Sequence, residues 1–112
     1  MEVKQRTIEI YEQVDGKQPY ESWLSELKDP MSRARIRSRI DKVETGNFGD
    51  FRSVGDGVSE LRFTFGAGFR IYYGLKGETI VILLIGGDKS SQEKDIEKAK
   101  EFWSDYKERE NE

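Results

Sequence analysis

Glu60-Leu61-Arg62-Phe63-Thr64-Phe65-Gly66-Ala67-Gly68-Phe69-Arg70-Ile71-Tyr72-Tyr73 is the stretch on which the fold turns. Before the glycines, Leu61, Phe63 and Phe65 point one way and Glu60, Arg62 and Thr64 the other, the period of a strand with one buried face. Gly66-Ala67-Gly68 predicts a three-residue hairpin loop. That register sets Phe65 against Phe69, Phe63 against Ile71 and Leu61 against Tyr73. It also sets Arg62 opposite Tyr72 and Thr64 opposite Arg70. Arg62 and Arg70 become diagonal neighbours about 7–8 Å apart, within side-chain reach of one anion.

On the C-terminal side, Lys76-Gly77 marks a second turn. Thr79 to Ile85 is apolar on both faces and reads as an interior strand. Gly86-Gly87 ends it. Ser90-Ser91-Gln92-Glu93 is a capping box for a last helix, whose stripe is Ile96, Ala99, Trp103 and Tyr106. The charged tail after Lys107 is expected to fray. On the N-terminal side, residues 46–57 read as a glycine-rich loop anchored by Phe48 and Phe51. Asp29 is an N-cap and Pro30 a first-turn residue for a helix to about Thr45, with Ile36, Ile40 and Val43 buried. Pro19 opens a shorter helix with Tyr20, Trp23, Leu24 and Leu27 at i, i+3, i+4, i+7. Residues 3–11 read as a first strand. The order β-α-α-β-β-β-α predicts an α+β fold: two N-terminal helices packed on one face of a small, mainly antiparallel sheet, plus a C-terminal helix.

The 112 residues fit a single domain, 1–112. Thirteen aromatics argue against disorder. The absence of cysteine excludes disulfides and thiolate zinc sites, and the absence of histidine removes the commonest general base and metal ligand. No spaced carboxylate cluster calls for a metal, so no metal or cofactor is expected. The longest apolar run, Ile80 to Ile85, is too short to cross a bilayer, and the first residues lack a signal-peptide stretch; the expectation is a cytoplasmic protein without membrane contact. The net charge is −3. It is uneven: residues 31–73 carry eight Lys or Arg against five Asp or Glu, and the flanking thirds are acidic. Two arginines and a lysine gathered on one surface suit a phosphodiester, and so RNA. Gly86-Gly87-Asp88-Lys89-Ser90 lacks the spacing of a nucleotide-binding P-loop.

Asp29-Pro30 with its Arg-rich helix, Gly46-Asn47-Phe48-Gly49-Asp50, Glu60-Leu61-Arg62, Phe69-Arg70-Ile71-Tyr72-Tyr73 and Gly86-Gly87-Asp88-Lys89, in this order, resemble the killer-protein, HigB-like branch of the RelE/ParE toxin superfamily. The resemblance spans roughly residues 5–103. It implies the toxin of a type II toxin–antitoxin system, with a cognate antitoxin protein as partner. RelE-type members cleave mRNA, commonly on the ribosome; ParE-type members inhibit DNA gyrase without being enzymes. A catalytically degenerate toxin kept as a binding module is a third reading, and the acidic net charge gives it footing.

Metal-independent cleavage needs the ribose 2′-OH deprotonated, the phosphorane stabilised and the leaving 5′-oxygen protonated. Arg62 and Arg70 are assigned to the phosphate, because guanidinium grips two oxygens at once. Lys89 is assigned to protonating the leaving group or to further charge stabilisation, and Glu60 is the candidate base. Tyr72 is a candidate to stack on a base or to position the phosphate. Arg52, in the expected loop, is a candidate RNA contact. Arg33, Arg35, Arg37 and Arg39 fall on both sides of the helix stripe; of these Arg33 and Arg37 are named as candidate RNA contacts.

Overall fold

A computed structural model describes residues 4–111. Strand β1 is Thr7–Ile10, and the expected start of that strand at Val3 lies outside the described residues. Helices α1, Pro19–Glu26, and α2, Pro30–Glu44, follow. Then come β2 (Phe51–Gly55), β3 (Val58–Arg62), β4 (Arg70–Lys76) and β5 (Ile80–Gly87), a 3₁₀ turn at Lys89–Ser91, and α3 (Gln92–Glu110). The five strands form one sheet in the order β1-β5-β4-β3-β2. Only the β1–β5 pair is parallel. The fold is thus α+β, and a strand precedes the two N-terminal helices.

β5 lies inside the sheet, as its unbroken apolar run requires, and Val81, Ile82, Leu83 and Leu84 are all buried. Their alternation divides the core. Val81 and Leu83 join Tyr20, Leu24, Ile36 and Val43 of α1 and α2. Ile82 and Leu84 join Ala99 and Trp103 of α3 on the opposite side. The helices therefore cover both faces, not the one face expected from the sequence. A strand apolar on both sides leaves no solvent-facing surface, and the stripe of α3 needs a sheet face of its own. Each layer seats an indole on a strand glycine. A Cβ at Gly74 would lie 2.5 Å from the Trp103 ring, and one at Gly86 2.1 Å from the Trp23 ring.

Four local expectations are corrected. The 46–57 segment is not all loop: β2 pairs with β3 through a two-residue turn at Asp56-Gly57, both with positive φ (55° and 82°). Asp-Gly is the residue pair that a type I′ hairpin selects, so the signal stood in the sequence. The β3–β4 connection is also wider than three residues. Leu61 pairs with Ile71 and Arg62 with Arg70, a two-residue shift that keeps every side chain on its expected face. Gly68 N–H closes a turn onto Phe65 O, and the Phe63, Phe65 and Phe69 rings pack 5.6–5.7 Å apart inside the enlarged loop. The capping box lies two residues earlier than expected. Asp88 accepts from Ser90 N–H, Ser91 answers from the third position, and the Ser91 side chain does not cap α3. α3 runs on past Lys107 to Glu110, which pairs with Lys76 at 2.8 Å.

The tyrosines give this core a pH signature. Burial, as the first cause, pushes Tyr11, Tyr73 and Tyr106 up to about 12 from an ordinary value near 10. The folded state thus holds these protons more tightly than the unfolded chain, and that contribution is intact below about pH 10 and is lost as pH climbs towards about 12. The melting temperature is expected to fall across that window, and Tyr73→Phe should flatten part of the fall. A thermal titration with no slope there, or the same slope in the variant, would contradict this.

Candidate functional site

Antiparallel pairing of β3 with β4 sets Arg62 directly across from Arg70, and Glu60 directly across from Tyr72. All four side chains share the α3 face of the sheet. The pair at the strand ends is partly open to solvent, whereas Glu60 and Tyr72 are completely buried. The register thus brings the two arginines closer than the diagonal expectation did, and withdraws the other two residues.

Each arginine is partly engaged. Arg62 Nε lies 3.2 Å from Asp50 Oδ2. Arg70 folds over the loop: its Nη1 donates to the carbonyls of Gly68 and Phe69, both at 3.0 Å, while its buried Nε has no partner. Among the described residues, the Nη atoms of Arg62 and Nη2 of Arg70 have no hydrogen-bond partner. Lys89 joins Arg70 at Gly68, where a Cβ would meet Lys89 Cβ at 3.4 Å and Arg70 Nη1 at 3.7 Å. The Lys89 backbone N–H donates to Ala67 O, which pins this lysine to the loop, and its side chain is exposed.

Glu60 is not placed as a base. It accepts from Arg52 Nε at 2.7 Å and from Gln92 Nε2 at 3.1 and 3.3 Å, joining β2 and α3 to the middle of the sheet. Arg52 is its cross-strand partner in β2, with a side chain 55% exposed. Tyr72 offers no ring to a nucleobase. Its hydroxyl is buried without a partner among the described residues, and burial, then the charges of Glu60 and Asp95, raise its pKa far above the ordinary phenol value. Asp95, also buried, accepts from Ser91 Oγ and lies against Gly87, where a Cβ would strike its carboxylate. A polar layer of Glu60, Tyr72 and Asp95 thus lies beneath the arginine pair.

On α2, Arg33 is taken up by donating to Leu27 O at the end of α1, which explains its half-burial without RNA. Arg37 is exposed near Tyr20. No hydrogen bond or ion pair joins either to Arg62 or Arg70. The residue that the sequence did not single out is Arg39. It donates to Phe48 O (2.9 Å), Asp50 O (2.8 Å) and Arg62 O (2.8 Å), and so fixes the segment that carries Asp50. Burial lowers its pKa from the ordinary guanidinium value, with Asp50 opposing. No local signal marks it, because Arg33 and Arg37 share the i, i+4 spacing of Arg35 and Arg39. Among the described residues, no three or more carboxylates gather as a metal site would need.

A family model described as "Phage derived protein Gp49-like (DUF891)" matches residues 22–104, from within α1 to within α3. A Haemophilus influenzae protein described as uncharacterized is 51% identical over 81 residues, which are 72% of this chain and 82% of that protein. Among the described residues, no helix is long and apolar enough to cross a membrane.

The Glu60 junction is asymmetric. Removing Arg52 strands a fully buried carboxylate, whereas neutralising Glu60 leaves a half-exposed arginine that can turn to water. Arg52→Ala is therefore expected to destabilise by about 3 kcal/mol, the scale for breaking a buried pair. Glu60→Gln should cost much less, and adding it to Arg52→Ala should recover most of the loss in a double-mutant cycle. Equal costs for the two single variants in denaturant titrations, with no recovery in the double, would contradict the assignment.

Proposed function

The chain belongs to the Gp49-like family of phage-derived proteins, a RelE/ParE-like toxin family of toxin–antitoxin modules, and on that premise we propose that it cleaves mRNA and is silenced by a cognate antitoxin protein. The observation that carries this reading is the Arg62–Arg70 pair. Like charges directly opposite each other on neighbouring strands are destabilising, and a bound phosphodiester removes that conflict. The free Nη atoms of Arg62 and Arg70 supply the donors.

In this reading the 2′-oxygen of the ribose attacks phosphorus, its proton leaves to water, and the bond from phosphorus to the 5′-oxygen breaks. Arg62 and Arg70 bind the phosphorane oxygens, on which negative charge grows. Lys89 Nζ, from the 3₁₀ turn that is bonded to the same loop, gives a proton to the departing 5′-oxygen. Glu60 and Tyr72 act from below as supports. Catalysis is then chiefly electrostatic, with fixed cations placed where charge develops.

Losing one such donor is expected to reduce cleavage by about 10²–10³-fold. Induced expression with mapping of RNA ends should show new termini for the wild type and few for Arg62→Ala or Arg70→Ala. Arg70→Lys, which keeps a cation but not the fork, should also be impaired while melting like the wild type. Unbroken transcripts accompanied by DNA damage would overturn the reading in favour of a gyrase poison. Harmless expression with a tight partner complex would overturn it in favour of a binding module.

A further inference from the structure

A groove of about 370 Å³ runs between α2 and the end of β3, on the other side of the sheet end from the arginine pair, and Arg62 borders both: its carbonyl accepts from Arg39 of α2 and its side chain belongs to the pair. Its other walls include Arg35, Ser38 and Lys42 of α2, with Thr64 and Phe65 of the β3–β4 loop. We propose that this groove holds the next nucleotide of a single-stranded RNA whose reacting phosphate lies at Arg62 and Arg70; the inference rests on the ribonuclease reading and adds the path of the strand.

Charge is the first reason. Four cationic residues, Arg39 among them, line the groove against one acidic residue, Asp50, which Arg62 already engages. Arg39 is occupied by three carbonyls, so the free cations are Arg35 and Lys42, both exposed. The hydroxyl-bearing residues Ser38 and Thr64, exposed as well, add donors suited to phosphate oxygens. Shape is the second reason. The Arg35 guanidinium lies 4.0 Å from the centre of the half-buried Phe65 ring, so its outer side is a flat cationic plane. Unpaired bases stack on such planes. An acidic peptide would use the charge, but RNA couples a flat base to every phosphate, the pairing of plane and cation that this groove presents, and for that reason the occupant is RNA. The volume lies within the range of small-molecule pockets and accommodates one nucleotide.

A labelled 2′-O-methyl RNA hexamer tests this, because its blocked 2′-oxygen prevents cleavage. Binding is followed by fluorescence anisotropy over a series of salt concentrations, for the wild type, Arg35→Ala, Lys42→Ala, the double variant and a Lys17→Ala control from the exposed 13–17 turn. Both groove residues are exposed, so the variants should melt like the wild type. The double variant is expected to bind at least about tenfold more weakly at low salt. Its slope of log affinity against log salt should drop by about 0.7 for each phosphate that the variant no longer neutralises. The control should match the wild type. Unchanged affinity and slope in the double variant would overturn the proposal, as would displacement of the hexamer by a glutamate hexapeptide at the concentration where unlabelled RNA displaces it. Groove-dependent binding by a wild type that leaves natural RNA intact would overturn the cleavage reading alone. Cleavage with groove-independent binding would overturn the groove alone.

Discussion

Two arginines at directly opposed positions of β3 and β4, like charges on neighbouring strands, are the tension around which the site is arranged. The chain relieves part of it. Asp50 engages Arg62, and the loop carbonyls of Gly68 and Phe69 engage Arg70. Asp50 is available because Arg39 clamps the carbonyls of Phe48 and Asp50 from α2. What is left is a partly neutralised, outward-facing pair with spare donors, which is an incomplete structure and a suitable anion receptor.

Holding such a pair in place takes rigidity below it. The junction of Glu60 with Arg52 and Gln92 ties the edge strand β2 and the start of α3 to the centre of the sheet. The indoles of Trp23 and Trp103, each seated on a strand glycine, lock the helix layers against opposite faces. These contacts leave the β3–β4 loop and Lys89 as the parts of the site that face solvent. In the proposed cleavage the chemistry falls to groups that carry fixed positive charge, in keeping with a chain that has no histidine.

Where one pattern rules, the sequence is legible. The alternation through Leu61, Phe63 and Ile71 assigns the faces correctly, and a register error of two residues cannot disturb them, because the side-chain period is itself two. The apolar run of β5 assigns an interior strand. Asp29 caps α2 as expected, accepting from Met31 N–H and Ser32 Oγ. Legibility ends where tertiary contacts decide. Glu60 and Arg62 alternate identically along β3, yet only the first meets α3 and is buried; nothing local separates them. β2 is obscured by the glycines around it, although the turn chemistry at Asp56-Gly57 is local and visible. Arg39 looks like its neighbours Arg35 and Arg37 until the backbone carbonyls of a distant segment come within its reach.

The claim that Arg62 and Arg70 share one phosphodiester is met most directly by NMR of their Nε–H groups during titration with a 2′-O-methyl dinucleotide, which contains a single phosphodiester. Both resonances should move along one binding curve with the same dissociation constant, and Arg33, committed to Leu27 O, should stay still. Signals of Arg62 and Arg70 that remain fixed, or that follow two different curves, would contradict a shared site.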